Sequence, residues 1–597
     1  MSQDQPGRTP AALQAAAGPR LSSAEYGSDV IVEMLRETGI PYVALNPGAS
    51  FRGIHDSLVN FGHGQPPEII LCTHEEVAVA MAHGYARVTG RPMAAALHDI
   101  VGLQHATMAI FNAWCDRVPM LLLGGTGPMD SDKRRPWIDW VHTALVQGNQ
   151  VRDYVKWDDQ PASVEAFPES LLRAYRLAMT EPQGPVYICF DATLQEQEVG
   201  SPVQIPDARR FASPAPPAAG PQALREAASL LVQARFPVIV ADNAGRNPEA
   251  VPALLNLAEL LGCGVVDIGG YFNFPSGHVL DVTAARPEAL ARADVILALD
   301  VNDLASALAA RAGRDRVGLE LALPPEARII HVTLADYLQH SWASDVQKLM
   351  PVDIPIAASA ASVLPDLIAL CAREIDAGGG GDAIGERRRQ VQELQATVQR
   401  PAASPSDGAI TRPRLYREMW SQIAGSEWSL VNGPYAQLRS TWEFTQPQQF
   451  AGANRGAGLG YSLGASLGAA LAHKGSGRLC IDIQGDGDFL FTPSALWTAV
   501  HHQIPLLVVV VNNRSYGNDE EHQRYMAVTR GRPEENKGIG IVLEPPQTDF
   551  AALARSFGVA GFGPISDPEA LGPALRDAIA VVRDGRPALV DVVAPGI

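Results

Sequence analysis

The sequence has no long apolar run, no basic cluster and no paired cysteines, and each absence excludes a class of protein. No apolar run reaches ~18 residues and the first residues lack a hydrophobic signal core, so neither a membrane span nor export is expected. The formal net charge is −18 and no dense run of Lys and Arg occurs, which excludes a nucleic-acid partner. The six cysteines form no CxxC pair, so we expect neither a zinc site nor disulfides, and a reducing cytoplasm fits best.

The length of 597 residues is too great for one core and suits three domains. Strand and helix patterns alternate, which predicts an α/β protein of three doubly wound domains with largely parallel sheets. Stretches rich in proline, glycine and serine separate the domains. The expected division is a disordered leader at 1–23, a first domain at 24–200, a central domain at 221–373, a linker at 374–411 and a third domain at 412–597.

Oxygen ligands for a hard cation stand at the ends of two predicted strands. Residues 478–484 and 504–511 predict buried parallel strands, and residues 493–502 predict the helix between them. Asp486 follows the first strand and Asn513 follows the second. Because the carboxyl ends of parallel strands meet at one edge of a sheet, both side chains are expected there. Such oxygens are the ligands that Mg²⁺ or Ca²⁺ prefers.

The sequence Gly-Asp-Gly at 485–487, followed after twenty-four residues by Asn512 and Asn513, resembles the cofactor signature of thiamine diphosphate (ThDP) enzymes. A lone Gly-Asp-Gly is more often a turn than a site, so the resemblance depends on a second motif. Residues 72–90 supply it, because they are similar to the helix that carries the catalytic glutamate of that family, here Glu75. In the family this carboxyl group hydrogen-bonds the cofactor pyrimidine, and such chemistry needs a poorly solvated carboxyl of raised proton affinity.

Further stretches resemble the ThDP-dependent 2-oxoacid decarboxylases and carboligases, the family of benzoylformate decarboxylase and acetolactate synthase. Residues 46–50 resemble the loop near the reacting carbon, and 97–102 resemble a strand end whose catalytic histidine falls on His98. Residues 456–464 resemble the segment whose hydrophobic residue, here Leu459, bends the cofactor. The metal ligands implied are Asp486, Asn513 and the carbonyl of Ser515. The cofactor contacts implied are Gly48, Glu75, Gly458, Leu459, Gly485, Asp486, Gly487, Asn513, Ser515, Tyr516 and Gly517.

Substrate choice is expected to depend on positions where the sequence departs from these relatives. Ala49 stands where benzoylformate decarboxylase has a substrate-contacting serine. The helix predicted after the Asn-Asn pair is acidic where relatives are apolar. One of Asp519, Glu520, Glu521 and His522 there could transfer protons, with Glu520 and Glu521 as the catalytic candidates and a solvated helix face as the equal alternative. For residues near His98, a structural hydrogen bond and a catalytic role are both open. The expected substrate pocket comprises Ala49, Ser50, His98, Gln104, His105 and Asp519.

The resemblance implies an enzyme that uses ThDP and Mg²⁺ to break or form a carbon–carbon bond next to a carbonyl. Its small-molecule substrate would be a 2-oxoacid, an aldehyde or an acyloin, and the cofactor would act as electron sink. That family places Glu75 and Asp486 of different subunits around one cofactor, so a homodimer or homotetramer is expected. Cleavage of acyloins or 2-hydroxyacyl-CoA is the alternative activity, and a non-catalytic partner subunit is a third. FAD is not expected, because 266–286 lack the glycine- and histidine-rich stretch of flavin-containing relatives.

Overall fold

The computed structural model describes residues 18–136, 140–310, 320–338, 340, 346, 348–378, 381–397 and 408–594. It contains three sheets of five or six strands, in which every strand pair is parallel, and one two-stranded antiparallel sheet. The predicted fold class of three doubly wound α/β domains is confirmed. Each helix of the described residues is too short or too polar to traverse a lipid bilayer.

The first domain has a six-stranded sheet whose central strands are buried apolar runs, as expected when helices cover both faces. The strands of this sheet are β2 (Tyr42–Leu45), β3 (Glu68–Leu71), β4 (Ala94–Leu97), β5 (Met120–Thr126), β6 (Asp158–Asp159) and β7 (Pro185–Asp191). Strands β1 (Arg20–Leu21) and β8 (Gln204–Ile205) form the two-stranded sheet. The helices of the domain are α1 (Gly27–Glu37), α2 (Arg52–Asp56), α3 (Glu75–Thr89), α4 (Asp99–Cys115), α5 (Phe167–Met179) and α6 (Ala192–Glu196). The order β3-β2-β4-β5-β7-β6 reverses direction between β2 and β4, which opens a crevice at their carboxyl ends.

The small antiparallel sheet changes the interpretation of the N-terminal leader. Strand β1 pairs with β8, in the register Arg20 to Ile205 and Leu21 to Gln204. The prediction of a disordered leader is therefore wrong for its last residues, because their partner strand lies far along the chain and local composition does not reveal it. Residues 1–17 of the predicted leader lie outside the described residues.

The central domain is a five-stranded sheet in the order β10-β9-β11-β12-β13, with its own apolar core. Its strands are β9 (Pro237–Ala241), β10 (Gly264–Asp267), β11 (Val295–Leu299), β12 (Arg328–Val332) and β13 (Ile354–Ile356). Its helices are α7 (Pro221–Gln233), α8 (Ala250–Leu261), α9 (Arg286–Arg292), α10 (Leu304–Ala307), α11 (Ala360–Asp376) and α12 (Gly381–Ala396).

Helix α12 lies in the stretch 374–411 that was predicted as a linker. One of its arginines, Arg387, is 1% exposed and donates hydrogen bonds to the carbonyls of Val232 at 2.6 Å and Leu261 at 3.2 Å. Because these carbonyls belong to the central domain, this part of the predicted linker is a helix packed on that domain. The proline-rich part of the prediction, 398–407, lies outside the described residues.

The third domain is a five-stranded sheet in the order β14-β15-β16-β18-β17. Its strands are β14 (Trp428–Asn432), β15 (Leu479–Gly485), β16 (Leu507–Asn512), β17 (Ala560–Ile565) and β18 (Ala588–Val593). Its helices are α13 (Arg412–Ile423), α14 (Tyr435–Leu438), α15 (Tyr461–His473), α16 (Asp486–Phe489), α17 (Ala495–His501), α18 (Gly517–Thr529), α19 (Phe550–Ser556) and α20 (Pro568–Arg583). The two predicted strands and the helix between them are confirmed as β15, β16 and α17. Strand β16 begins later than predicted, after Pro505, which lacks the N–H that a central strand must donate.

The first and third domains are joined by close packing of α3 against α15. Glycines allow the contact, since a Cβ at Gly84 would collide with the Ala465 carbonyl and a Cβ at Gly468 would collide with the Met81 carbonyl. Buried apolar residues of both domains form one continuous core around this helix pair. The backbones therefore touch directly, and the two domains are held in a fixed relation by apolar burial.

The carboxyl edge of the central sheet is filled by ion pairs with the other two domains. Strands β9, β10 and β11 are each followed by, or end in, a buried aspartate, and each aspartate pairs with an arginine from the first or third domain. Removing one partner would leave an uncompensated buried charge, so these pairs fix the domain arrangement. The pairs are Asp242 with Arg455, Asp267 with Arg439 at 2.8 Å, and Asp300 with Arg117 at 2.9 Å.

Candidate active site

The first polar cluster surrounds Glu75, the first residue of α3. The helix begins at this point because His74 caps it, accepting a hydrogen bond from the Glu76 N–H at 3.1 Å. Glu75 is 4% exposed, and its carboxylate accepts a hydrogen bond from Asn46 Nδ2 at 3.1 Å. Its second oxygen lies 3.1 Å from Nδ1 of His105, whose side chain is half exposed. The carboxylate is therefore buried but has partners on both oxygens.

The pKa of Glu75 is lower than that of an ordinary glutamate. Burial alone raises this pKa, but hydrogen bonds from Asn46, from the helix backbone and from His105 together lower it below the usual range. The sequence predicted the opposite sign, a raised proton affinity. The difference arises because Glu75 lies at a helix N-terminus among donors, which favours the anion. Glu75 is therefore an anion that can accept a hydrogen bond or a proton, but with a lower proton affinity than an ordinary glutamate.

His98, the second predicted catalytic residue, follows β4 and faces the loop that follows β2. Its Nδ1 lies 3.0 Å from the hydroxyl of Ser50, and that hydroxyl also accepts a hydrogen bond from the Asp99 N–H at 3.1 Å. Its Nε2 lies 3.2 Å from Nδ1 of His142. Strands β2 and β4 are adjacent, so this contact occurs at the crevice where the strand order reverses.

The remaining residues of the predicted pocket differ in how they are placed. Gly48 is required, because a Cβ there would collide with His98, and Ala49 is half-buried in a turn of 3₁₀ helix. The Ser50 hydroxyl is occupied by contacts within the protein. Gln104 is exposed on α4, one residue before His105. The structure therefore brings His105 to Glu75 and Ser50 to His98, and leaves Gln104 at the surface.

The second polar cluster lies at the adjacent carboxyl ends of β15 and β16. Asp486 is 2% exposed, and the amide oxygen of Asn513 lies 2.8 Å from its Oδ1 and 2.9 Å from the Ser515 carbonyl oxygen. These two distances match two edges of a magnesium octahedron, whose edges are about 2.9 Å for Mg–O distances of about 2.1 Å. With its amide turned over, Asn513 would instead donate to both oxygens, which is the arrangement expected without a cation. With the amide oxygen facing the other two oxygens, the three groups fit Mg²⁺.

Electrostatics and backbone packing around this cluster also suit a cation with an anionic ligand. Burial raises the pKa of Asp486 to about 6, so a cation would stabilise its charged form. No atom lies within 4 Å of a Cβ placed on Gly485, which leaves its backbone accessible. By contrast, a Cβ on Gly487 would meet the ring of Tyr516, and one on Gly517 would lie 2.7 Å from the Asn513 amide nitrogen. These two glycines allow the loops to pack closely.

Glu520 joins the acidic helix α18 to the loop that contains Asn513 and Ser515. The Ser515 hydroxyl donates to Glu520 at 2.9 Å, and the ammonium of Lys537 lies 3.1 Å from the other carboxylate oxygen. These two groups hold the pKa of Glu520 below its usual range. Glu521 pairs with Arg524 at 2.9 Å, and Asp519 is exposed. No residue described in α18 is buried, so a proton-transfer role for these acids stays a prediction.

The segment predicted to bend the cofactor lies between the two domains. A Cβ on Gly458 would collide with Met108 of α4, so the loop passes directly over the first domain. The N–H of Gly460 donates to Asp488 at 2.7 Å, which fixes the start of α15. Between these anchors, Leu459 is 42% exposed. An exposed leucine on a fixed loop is available to contact a ligand or a second subunit.

Sequence reasoning missed three residues of these clusters. Asn46 was part of a recognised loop, but its contact with Glu75 depends on two strands that are distant in sequence. His142 and Lys537 belong to no motif, and their partners His98 and Glu520 are not their sequence neighbours. Only three-dimensional proximity identifies them, so no sequence signal could have done so.

Comparisons with known proteins show the family to which the chain belongs. Residues 26–150 match the N-terminal TPP (thiamine pyrophosphate) binding domain of thiamine pyrophosphate enzymes, 224–367 match the central domain, and 434–592 match the C-terminal TPP binding domain. The chain is 27% identical over 570 residues to benzoylformate decarboxylase of Pseudomonas aeruginosa, covering 94% of this chain and 97% of that one. It is 24% identical over 572 residues to the acetolactate synthase large subunit of Haemophilus influenzae, covering 93% and 92%. The crystal structure of benzoylformate decarboxylase from Polynucleobacter necessarius shares the fold, with a TM-score of 0.76, 19% identity and coverage of 96% and 99%.

Proposed function

Because this chain belongs to the thiamine pyrophosphate (ThDP) enzymes, we propose that it uses ThDP and Mg²⁺ to cleave or form a carbon–carbon bond next to a carbonyl. Decarboxylation of a 2-oxoacid, with or without ligation to an aldehyde, is the reaction we favour. The observation that carries the proposal is the presence in one chain of two separate groups: the buried carboxylate of Glu75, and the three clustered oxygens of Asp486, Asn513 and Ser515. Each group lies within the range that matches a TPP-binding domain.

The proposed roles follow from the chemistry of the side chains. Bound ThDP supplies an electron sink beside the reacting carbonyl. Asp486, Asn513 and the Ser515 carbonyl would hold Mg²⁺, whose charge offsets a diphosphate. The open backbone at Gly485 leaves room for that diphosphate. The anionic Glu75 would accept and hold a proton at the cofactor pyrimidine, in a site from which burial excludes water.

We propose that two chains complete one site, as a homodimer or homotetramer. Support comes from Leu459, which is fixed on its loop yet 42% exposed, and from α18, whose described residues are all accessible in a single chain. A partner domain would cover both. A reducing cytoplasmic location belongs to the same proposal, since all six cysteines are buried free thiols.

We also propose that the central domain holds no flavin. Dinucleotides bind doubly wound sheets in the crevice at the carboxyl ends of the strands. In this chain Asp242, Asp267 and Asp300 occupy that edge, each paired with an arginine from another domain. A flavin there would have to displace these buried pairs. Thermal unfolding that does not change on addition of FAD is the expected result.

A substrate panel tests the proposed reaction. The protein loaded with ThDP and Mg²⁺ should release CO₂ from benzoylformate or pyruvate, because a 2-oxoacid carboxylate is the leaving group of the favoured reaction. CO₂ and aldehyde release are measured in parallel with benzoin and a 2-hydroxyacyl-CoA. Cleavage of either of these two without CO₂ release from any 2-oxoacid would favour the lyase alternative. Protein treated with EDTA and stripped of ThDP is the control.

Glu520 is expected to support the metal loop. Substituting Glu520→Ala removes the partner of both Ser515 and Lys537, so affinity for Mg²⁺ and ThDP should fall by about tenfold, the lower end of losses for groups that support metal ligands. Lys537→Ala should also lower the affinity for Mg²⁺ and ThDP. The control is Glu535→Ala, at an exposed position. Calorimetry of cofactor binding measures the effect. Unchanged affinity together with accumulated covalent intermediates in acid-quench NMR would instead assign proton transfer to Glu520.

A further inference from the structure

Both ring nitrogens of His98 are used within the protein. Its Nδ1 lies 3.0 Å from the Ser50 hydroxyl and accepts a hydrogen bond from the Ser50 backbone N–H at 3.4 Å. Because a backbone N–H can only donate, this contact favours the neutral ring with its proton on Nε2, against the Asp99 carboxylate oxygen that lies farther from Nδ1, at 3.6 Å. That Nε2–H donates to Nδ1 of His142 at 3.2 Å. His98, 9% exposed, therefore has no nitrogen left for a substrate.

The same hydrogen bond determines where His142 carries its proton. Since its Nδ1 accepts from His98, the neutral ring of His142 has its proton on Nε2, on the side away from His98. His142 is partly exposed, and among the described residues no acceptor for this N–H is found. The loop is held at His142 and at the next residue, because the His142 carbonyl accepts from the Ile100 N–H at 3.1 Å and the Thr143 hydroxyl accepts from the Gly127 N–H at 2.8 Å.

We propose that His142, rather than His98, is the histidine that contacts the substrate, and that its Nε2–H donates a hydrogen bond to the carboxylate of a 2-oxoacid. The inference rests on the proposed function, since the loop at 46–50 contacts Glu75 through Asn46 and His98 through Ser50. Ser50 and His98 are then positioning residues that fix the tautomer of His142. A hydrogen bond to an ionised acceptor is about twice as strong as a neutral one, so this donor selects for an anionic group.

Two amide substitutions separate the two nitrogens of His142. Asn is short and places its amide oxygen near the position of Nδ1, so His142→Asn keeps the acceptor for His98 but loses the outer donor. Gln is longer and places an amide N–H near the position of Nε2, so His142→Gln keeps the outer donor. The matched control is His278→Asn, a partly buried histidine of the central domain whose Nδ1 accepts from the Leu280 N–H at 3.2 Å.

The variants are measured as holoenzymes loaded with ThDP and Mg²⁺. Calorimetry gives the Kd for mandelate and lactate, which keep the carboxylate of a 2-oxoacid but cannot lose CO₂, and kcat and KM are taken with benzoylformate and pyruvate. His142→Asn should raise the Kd and lower kcat/KM by about 10- to 10²-fold, the effect of losing a hydrogen bond to a charged group. His142→Gln should keep more of the wild-type affinity and kcat/KM than His142→Asn does, and the control His278→Asn should stay near wild type. Hydrogen exchange at the ThDP C2 position, which depends on Glu75, should be unchanged in all three.

The proposal would be overturned if His142→Gln lost more affinity and kcat/KM than His142→Asn. If His142→Asn matches wild type while His142→Gln is impaired, the ring only holds His98 in place. Equal losses in both variants, or a wild-type protein that binds neither mandelate nor lactate, would also overturn it. A wild-type protein without C2 exchange would contradict the proposed function itself, which is a separate and distinguishable failure.

Discussion

Replacing Glu75 by Gln is expected to lower turnover at least about 10²-fold, the scale of a lost proton-transfer group. The amide has the shape of the carboxylate and still accepts the hydrogen bond from Asn46, so folding and most ThDP affinity should survive. The lost ion pair with the half-exposed His105 should cost little stability. What the amide cannot do is accept a proton. Steady-state turnover and NMR-detected hydrogen exchange at the ThDP C2 position should fall together.

The neighbouring residue supplies a matched control for this prediction. Burial, together with Asp488, raises the pKa of Glu76 to about 7. The folded protein therefore favours the protonated form, and ionisation destabilises it as the pH rises from the unfolded pKa toward 7. Glu76→Gln should keep C2 exchange at the wild-type rate and should have an equal or higher Tm above pH 7. If Glu75→Gln turns over as fast as wild type, Glu75 does not activate the cofactor.

The parts of the site that could be predicted from sequence are those in which a motif and its structural element coincide. Asp486 and Asn513 each follow a buried apolar strand, and parallel strands bring their carboxyl ends together, so chain order alone predicts their contact. Glu75 begins a helix that has a capping histidine before it and a glycine after it. In these cases the position of the side chain follows from strand order or helix capping, and both can be predicted from the sequence.

The remaining parts depend on contacts between segments that are distant in sequence. The sign of the Glu75 pKa shift is an example, because Asn46 and His105 reverse the effect of burial and neither contact is local. Arg387 is another, since a polar helix looks like a linker until its one inward guanidinium is seen to bind buried carbonyls. The pairing of His98 with His142 is a third. Each depends on tertiary packing. The family chemistry therefore predicted the opposite sign for the Glu75 pKa shift, composition predicted a linker around Arg387, and no sequence feature predicted the third.

Replacing Asp486 by Ala is expected to remove tight ThDP binding. The cation would lose its buried anionic ligand, and the diphosphate would then face the Ser515 and Gly485 backbone without a neutralising charge. Since the loss of groups that only support a metal ligand costs up to about 10²-fold in affinity, the loss of the ligand itself should raise the Kd for ThDP by more than that. Calorimetry with and without Mg²⁺ measures both values.

The dependence of this effect on the metal separates a lost ligand from general damage to the domain. EDTA should weaken ThDP binding to wild type as much as Asp486→Ala does, and should do nothing further to the variant, because both remove the same interaction. The control is Asp482→Asn on the same strand, a buried carboxyl that contacts Asn432 and Gln484 and not the Asn513 amide. Its response to Mg²⁺ should match wild type. ThDP binding that is unaffected by Asp486→Ala or by EDTA would show that the three oxygens of Asp486, Asn513 and Ser515 do not form the cation site.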